Sequence, residues 1–390
     1  MTAVLAIFGA VLLFLAVHPF ITYPLSLWGL ARIRPRPIVA SGPPPNRAAF
    51  CVCAYNEERV IRAKVDNMLA AGEALGGLEV LVYVDGGTDG TAAIVREFGD
   101  RVRLVASPAR LGKTHGMNAL AALTTAEVLV FSDANVLFAP DALPKLLAPF
   151  ADPAVGCVCG HLIYTQAEGN ATAATGSLYW RLEEAIKRLE SATGSVMGAD
   201  GSIFALRRAV HEPPPPDLID DMYISLASLC RGHRIVRVAD ALAYEEAVSR
   251  PAEEFRRKVR IACQAFNVHR ALWPRLRRMP ALDLYKYVSH KLLRWLTAGL
   301  LVAGVLCWAG AIVAAEAWWL LAGTAIAGAV ICSAMLTARS GLLATLRDIL
   351  GAFIATGIGV WRSWRGDRFQ TWNPPASART IRPVLPSTGG

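Results

Sequence analysis

FSDANVLF, residues 131–138, follows the apolar run AEVLV and ends it in a polar corner. A chain leaving a buried strand here groups Ser132, Asp133 and Asn135, then returns at once to Val136, Leu137 and Phe138. An ordinary hairpin would use Gly or Pro at such a turn. One aspartate at a strand end is by itself a turn or cap residue, so the reading depends on whether the pattern recurs. It does. RAAFCVCA runs into YNEE, and LEVLVYVD runs into GGTDG and a helix-like TAAIVREF with Thr or Asp as its cap. VRLVAS leads through the loop PARLGKTHG to a helix over 117–123; residues 140–150 read as a helix and VGCVCGHLIY as another strand. Strands alternating with helices predict an α/β domain on a mostly parallel sheet with helices on both faces.

Ligands of such sheets sit beyond the carboxyl ends of the strands, and the polar corners at 54–58, 85–90 and 132–135 all fall there. Asp85 beside a glycine pair lets backbone approach a flat ring while the carboxylate accepts an imide N–H. Taken alone, DGGTDG also fits a plain turn or a calcium loop. Asp133 and Asn135 offer hard oxygens of the kind that hold Mg²⁺ together with substrate phosphates, and Lys113 and His115 in the loop before the third helix could face a diphosphate. Further on, Asp220 and Asp221 open LIDDMYISLASLCRG, a helix with Met222, Ile224, Leu226 and Leu229 on its apolar face. Capping and the helix dipole would need only one of the two acids. Cys51 and Cys53, like Cys157 and Cys159, are spaced to share one face of a strand. No C-x-x-C occurs, so they read as core residues of a chain in a reducing compartment rather than zinc ligands.

The chain has 390 residues, of which 54% are hydrophobic, too apolar for one soluble domain alone. Residues 3–30 carry no charged side chain, and a span needs roughly 20 apolar residues. No basic segment precedes this run as it would in a signal peptide, so it reads as an uncleaved anchor over residues 1–31. The runs 295–315 and 317–338 form a hairpin of spans with Glu316 at the turn. The stretch 341–361, which contains Arg347 and Asp348, is either a further span or an interfacial segment. Basic residues flank the spans on one side only, which places 31–294 in the cytoplasm and favours an interfacial 341–361, so that the basic tail 362–390 stays inside. Net charge is +9, and between Arg250 and Arg294 twelve Lys and Arg face Glu253, Glu254 and Asp283. A basic strip over 251–294 beside a membrane reads as amphipathic helices on lipid headgroups. Nucleic acid is not an expected partner, because no zinc, helix-turn-helix or aromatic-platform pattern accompanies the charge.

In order and spacing, AYNEE, VYVDGGTDGT, LGKTHGMNAL and VFSDAN resemble the membrane-anchored family 2 inverting glycosyltransferases, which include cellulose, chitin and hyaluronan synthases and bacterial exopolysaccharide enzymes. The resemblance covers about residues 48–265 and implies a GT-A-like catalytic domain over 45–250. It places Tyr55, Asn56, Glu57, Asp85, Lys113, Asp133 and Asn135 at the nucleotide-sugar donor. Its D-x-D metal motif falls on Asp133-Ala134-Asn135, with an amide in place of the second carboxylate, and the cation would be Mg²⁺ or Mn²⁺. The family's T-E-D base falls on Asp221, with Asp220 where the family has Glu, and Asp200 in MGADGS falls where relatives line the acceptor. The Q-x-x-R-W motif matches 257–261, so that Arg260 keeps its cation while Arg257 stands for Gln and Ile261 for Trp.

The resemblance therefore implies a metal-dependent transferase at the bacterial inner membrane, multi-pass, with its catalytic domain in the cytoplasm. It would take a sugar from a nucleotide donor of UDP type and form a β-glycoside of an exopolysaccharide, with a homo-oligomer or secretion partners completing export. A membrane-lipid acceptor (ceramide, hopanoid or polyprenyl phosphate) is the alternative that the altered Q-x-x-R-W site and few spans favour. A non-catalytic UDP-binding membrane subunit is the third reading, supported by Asn135 alone.

Overall fold

The computed structural model describes residues 1–165, 171–246 and 251–372; the tail beyond, with Arg379 and Arg382, and Arg250 of the basic strip lie outside them. The anchor expected as one span is two helices, α1 (Thr2–Val17) and α2 (Thr22–Ile33), meeting at 61°. Pro19 in the break has no N–H to continue the helix. Across the break, His18 shares a hydrogen bond of 2.6 Å with Thr22 through Nδ1 and one of 3.0 Å with Ser289 through Nε2.

Four strands, β1 (Ala48–Ala54), β2 (Glu79–Asp85), β3 (Arg103–Ser107) and β4 (Val128–Asp133), pair in parallel in the order β3-β2-β1-β4. Helices α3 (Ile61–Glu73), α4 (Thr91–Arg96) and α5 (Lys113–Leu123) cross between them. Both faces are covered, so β1 is apolar at every position: Phe50 and Val52 join one core and Cys51 and Cys53 the other. Cys157 and Cys159 lie in that second core too, and all four thiols are free and buried.

Beyond β4 the chain reverses. β5 (Leu137–Phe138), α6 (Ala142–Leu147), β6 (Val155–Thr165), α7 (Ala171–Ala192), β7 (Ile203–Arg207), α8 (Asp220–Cys230) and β8 (Arg234–Glu246) complete the domain. The sheet order is β3-β2-β1-β4-β7-β6-β8-β5, with β7 antiparallel to both its neighbours, β6 parallel to β8, and β5 antiparallel to β8. The sheet is therefore mixed, its parallel half being the half that the alternating pattern describes. The long strand β8 was not anticipated, because RIVRVADALAYEE breaks its hydrophobic alternation midway.

A basic helix α9 (Pro251–Leu276) and a short α10 (Ala281–Tyr287) lead through one π-helical turn into α11 (Leu293–Ala314), followed by α12 (Trp318–Thr337) and α13 (Gly341–Trp364). The continuous helix 281–314, α12 and α13 are each long and apolar enough to cross a membrane, and the bent pair α1–α2 would make a fourth span. Small residues allow close packing between these helices. A β-carbon on Gly304 would stand 2.8 Å from Leu13, and one on Gly359 would stand 2.6 Å from Ala262, so α1 lies on α11 and α13 on α9.

Candidate active site

Three loops at the carboxyl ends of the parallel strands are laced together by their own polar groups. Asn56, held in the left-handed region at φ 54°, accepts from Thr88 N–H at 2.9 Å. Glu58 accepts from Gly90 N–H at 3.0 Å, and Glu57 N–H donates to Thr91 Oγ1 at 2.8 Å. Asp85 is completely enclosed, and its carboxylate accepts from Leu111 N–H at 2.7 Å and Gly112 N–H at 3.0 Å. It thus braces the 111–112 backbone rather than standing open. The Arg110 guanidinium lies 3.6 Å over the Tyr55 ring. His115 lies edge-on to Tyr83, ring centroids 6.1 Å apart.

The stretch 131–138 is held from below. Lys64 on α3 is fully buried and donates to Ser132 Oγ at 2.8 Å and to the Val136 carbonyl at 2.6 Å. Burial pushes its pKa down to about 7, against the pull of Asp133. Lys64 therefore shapes the corner in which Asp133 stands, and its signal in sequence was a lysine on the face of Ile61, Val65 and Met68.

α5 begins at Lys113, before the residue 117 expected, so Lys113 stands in its first turn rather than in the preceding loop. Its Nζ lies 2.7 Å from Asp133 Oδ1 and 3.6 Å from Asp220 Oδ2. Burial opposes its charge, but Asp133, Asp220 and Asp221 outweigh burial and hold it protonated. Asp220 Oδ2 is buried and accepts no hydrogen bond among the described residues. Asp221 receives its own neighbour's N–H, from Met222, at 2.6 Å. Burial, then the charges of Asp220 and Asp200, push its pKa up to about 7 despite Lys113. Asp200 meets Lys187 of α7 at 3.6 Å. The structure thus brings Lys113, Asp133, Asp200, Asp220 and Asp221 into one crevice.

Arg257 and Arg260 lie on α9, which runs past this crevice. Arg257 is bound to both oxygens of Glu254, at 2.8 and 3.1 Å, and Arg260 donates to Gln264 at 3.0 Å. The proline-rich loop HEPPPPD, residues 211–217, is tied down. Glu212 accepts from Tyr223 at 2.9 Å and Arg275 at 2.7 Å, and Asn118 donates to the Pro214 carbonyl at 2.9 Å.

Two groups at the site carried no motif. Glu245 at the end of β8 accepts from the Asn135 amide at 3.0 Å, and burial, then Asp133, push its pKa up to about 7. The segment after α13 also returns to the crevice. Gln264 donates to the Phe369 carbonyl at 2.9 Å, Gln370 to the Leu111 carbonyl at 3.1 Å, and Arg110 to the Trp372 carbonyl. Trp372 meets Tyr55 edge-on, centroids 6.2 Å apart.

Among the described residues no set of three His, Cys, Asp or Glu forms a ready-made metal site. The donors that are present still suit a divalent cation. Asp133 and Asn135 are hard-oxygen groups, and the buried Asp220 oxygen has no hydrogen-bond donor among the described residues.

A profile of the family described as Glycosyltransferase like family 2 matches residues 44–264. An N-acetylglucosaminyltransferase of Rhizobium leguminosarum bv. viciae is 24% identical over 63% of this chain and 61% of its own length. Another, from Rhizobium sp. (strain N33), is 25% identical over 59% of this chain and 54% of its own length. The chain thus spans less than two thirds of either relative. A mannosyltransferase from Pyrobaculum calidifontis, solved with GDP-Man and Mn²⁺, superposes with a TM-score of 0.69 at 22% identity, covering 93% of this chain and all of that one. At that identity the likeness is one of fold.

Proposed function

From the premise that the chain belongs to glycosyltransferase-like family 2, we propose that it moves a sugar from a UDP-linked donor to a hydroxyl acceptor with inversion. The observation that carries this reading is Lys113, whose single ammonium stands between Asp133 of the donor half and Asp220 beside the base. Asp221 is the base: its raised pKa lets it take a proton near neutrality, and a positioned carboxylate is worth typically 10²–10⁴-fold. The acceptor oxygen bonds to the anomeric carbon as its proton passes to Asp221. The carbon–oxygen bond to the diphosphate breaks with its electron pair on the leaving oxygen. Attack from the opposite face turns an α-linked donor into a β-glycoside.

Lys113, Arg257 and Arg260 provide positive charge for the departing diphosphate. Asp133 and Asn135 would hold Mg²⁺ or Mn²⁺, which when bound adds Lewis-acid stabilisation of the same charge. Tyr55, with Arg110 on its face, and the 111–112 backbone braced by Asp85 offer the base a wall, and Asp200 offers the acceptor a hydrogen-bonding carboxylate.

UDP-N-acetylglucosamine is the first donor to test, because the two rhizobial relatives are N-acetylglucosaminyltransferases. The product is proposed as an exopolysaccharide glycoside made at the inner membrane, with 45–250 as the catalytic unit on the cytoplasmic side. Ile261, where the resemblance has Trp, removes a stacking platform for a growing chain and so favours one alternative, a membrane-lipid acceptor. UDP release from the detergent-solubilised protein, across UDP-sugars with Mg²⁺, Mn²⁺ or EDTA, tests the proposal beside Asp221→Asn. Metal-dependent release with one donor, lost in the variant, supports it; chloroform-soluble product would assign the lipid acceptor. UDP binding without release under any acceptor would leave a non-catalytic subunit.

A further inference from the structure

We propose that Glu245, at the end of β8, supplies the second carboxylate of the divalent-cation site that Asn135 leaves one charge short. The inference rests on the donor-site reading above and adds a group that the Asp133-Ala134-Asn135 motif does not contain.

Strand register brings it there. β5 pairs antiparallel with β8 through Leu137↔Tyr244 and Phe138↔Ala243, which lays the 133–136 turn beside Glu245, some 110 residues away in the chain. Asn135, only 8% exposed, donates its Nδ2 to Glu245 Oε1 at 3.0 Å. That bond commits the amide's donor end to β8 and leaves its carbonyl oxygen as the end available to a cation. Neither Asn135 Oδ1 nor Glu245 Oε2 makes a hydrogen bond among the described residues.

A plainer role for Glu245 would be as counter-ion to Arg257. The guanidinium of Arg257, however, is held by both oxygens of Glu254. Arg257 still acts on Glu245 through its charge, but the stronger influence is that of another carboxylate, Asp133, which among the described residues forms its ion pair with the shared Lys113. Two carboxylates and an amide oxygen around one turn form a hard-oxygen donor set of the kind that binds Mg²⁺ and Mn²⁺. With so few protein ligands, the cation would share its coordination with the donor diphosphate.

The test uses full-length protein in detergent and follows free Mn²⁺ by EPR, with Mn²⁺ alone and with UDP. Glu245→Gln keeps an acceptor for Asn135 and removes the charge; the Mn²⁺ dissociation constant is expected to rise about tenfold or more. Glu245→Asp should recover part of the affinity. Glu246→Gln, on the opposite face of the strand, should bind as wild type does. Thermal unfolding without metal identifies any variant that fails to fold, in which case Glu245→Asp alone must show the intermediate affinity. Wild-type affinity in Glu245→Gln, beside its loss in Asp133→Asn, overturns the proposal and leaves the site itself standing. Wild-type affinity in Asp133→Asn overturns both.

Discussion

Gly201 lies so close to Asp221 that a β-carbon on it would stand 2.7 Å from the Asp221 Oδ2 atom. The segment entering β7 therefore passes the proposed base at contact distance, and the position admits only hydrogen. Gly201→Ala must displace the carboxylate. A displacement near 1 Å is expected to lower kcat by about 10²-fold while UDP affinity, measured by titration, stays close to wild type. Loss of UDP binding together with turnover would contradict this account.

The pH profile follows from the raised pKa of Asp221. A base must be ionised, so kcat/KM is expected to rise with pH through about 7 and level off above it. Asp221→Asn should lose about 10²–10⁴ in rate and the rising limb with it. The stability effect has the opposite sign. Between the ordinary 3.8 and about 7 the folded chain keeps a proton that the unfolded chain has released, so this contribution is complete below 3.8 and lost as pH rises through 7. Asp221→Asn should therefore gain stability over wild type more at pH 8 than at pH 4, which denaturant titration at the two values can read.

Lys64 gives a second pH signature. Its pKa falls from 10.5 to about 7 on folding, so between those values the unfolded chain binds the extra proton and stability rises with pH. Lys64→Met should flatten that rise. It should also cost about 1–3 kcal/mol, since the buried Val136 carbonyl loses its 2.6 Å partner. Equal slopes in the two proteins would show that Lys64 does not titrate on unfolding.

The chain after α13 touches the catalytic domain through Gln370 and Trp372, and α9 through Phe369. If α11 and α12 cross as a hairpin, α13 must start and end on the catalytic side, and so lies along the interface. In a cysteine-free background, a cysteine at Glu316 should react with an impermeant maleimide from outside, and one at Arg365 only after the membrane is opened. Outside labelling of Arg365 would mean that α13 crosses.

Trp372 joins the site from this returning segment. Its edge contact with Tyr55 suits a rim for the nucleotide base. Trp372→Ala is expected to weaken UDP binding by roughly 2- to 10-fold, the worth of one aromatic contact, with kcat at saturating donor little changed. A fall in kcat alone would place Trp372 elsewhere in the cycle.

Much of the architecture was legible because periodicity is local. β1 to β4, their crossovers and the α11–α12 hairpin follow from runs of a few residues whose apolar pattern can be satisfied in only one way. The break at Pro19 was also present in the sequence, masked by the unbroken hydrophobicity around it. β8 escaped notice because Asp240 and its neighbours interrupt the alternation where the strand bends around β6.

The amino-acid order by itself determined which groups stand at the strand ends, Asp85, Asp133 and Asn135, and that Asp220 and Asp221 open a helix, since each sits within an element defined by its immediate neighbours. Only the tertiary structure decided that Lys113 bridges Asp133 and Asp220, that Asp85 is spent on backbone, that Lys64 supports the 132–136 turn, and that Glu245 meets Asn135. Those pairings join residues far apart in the chain. They depend on strand register and on which charges share a buried space, and no local pattern of residues carries that information.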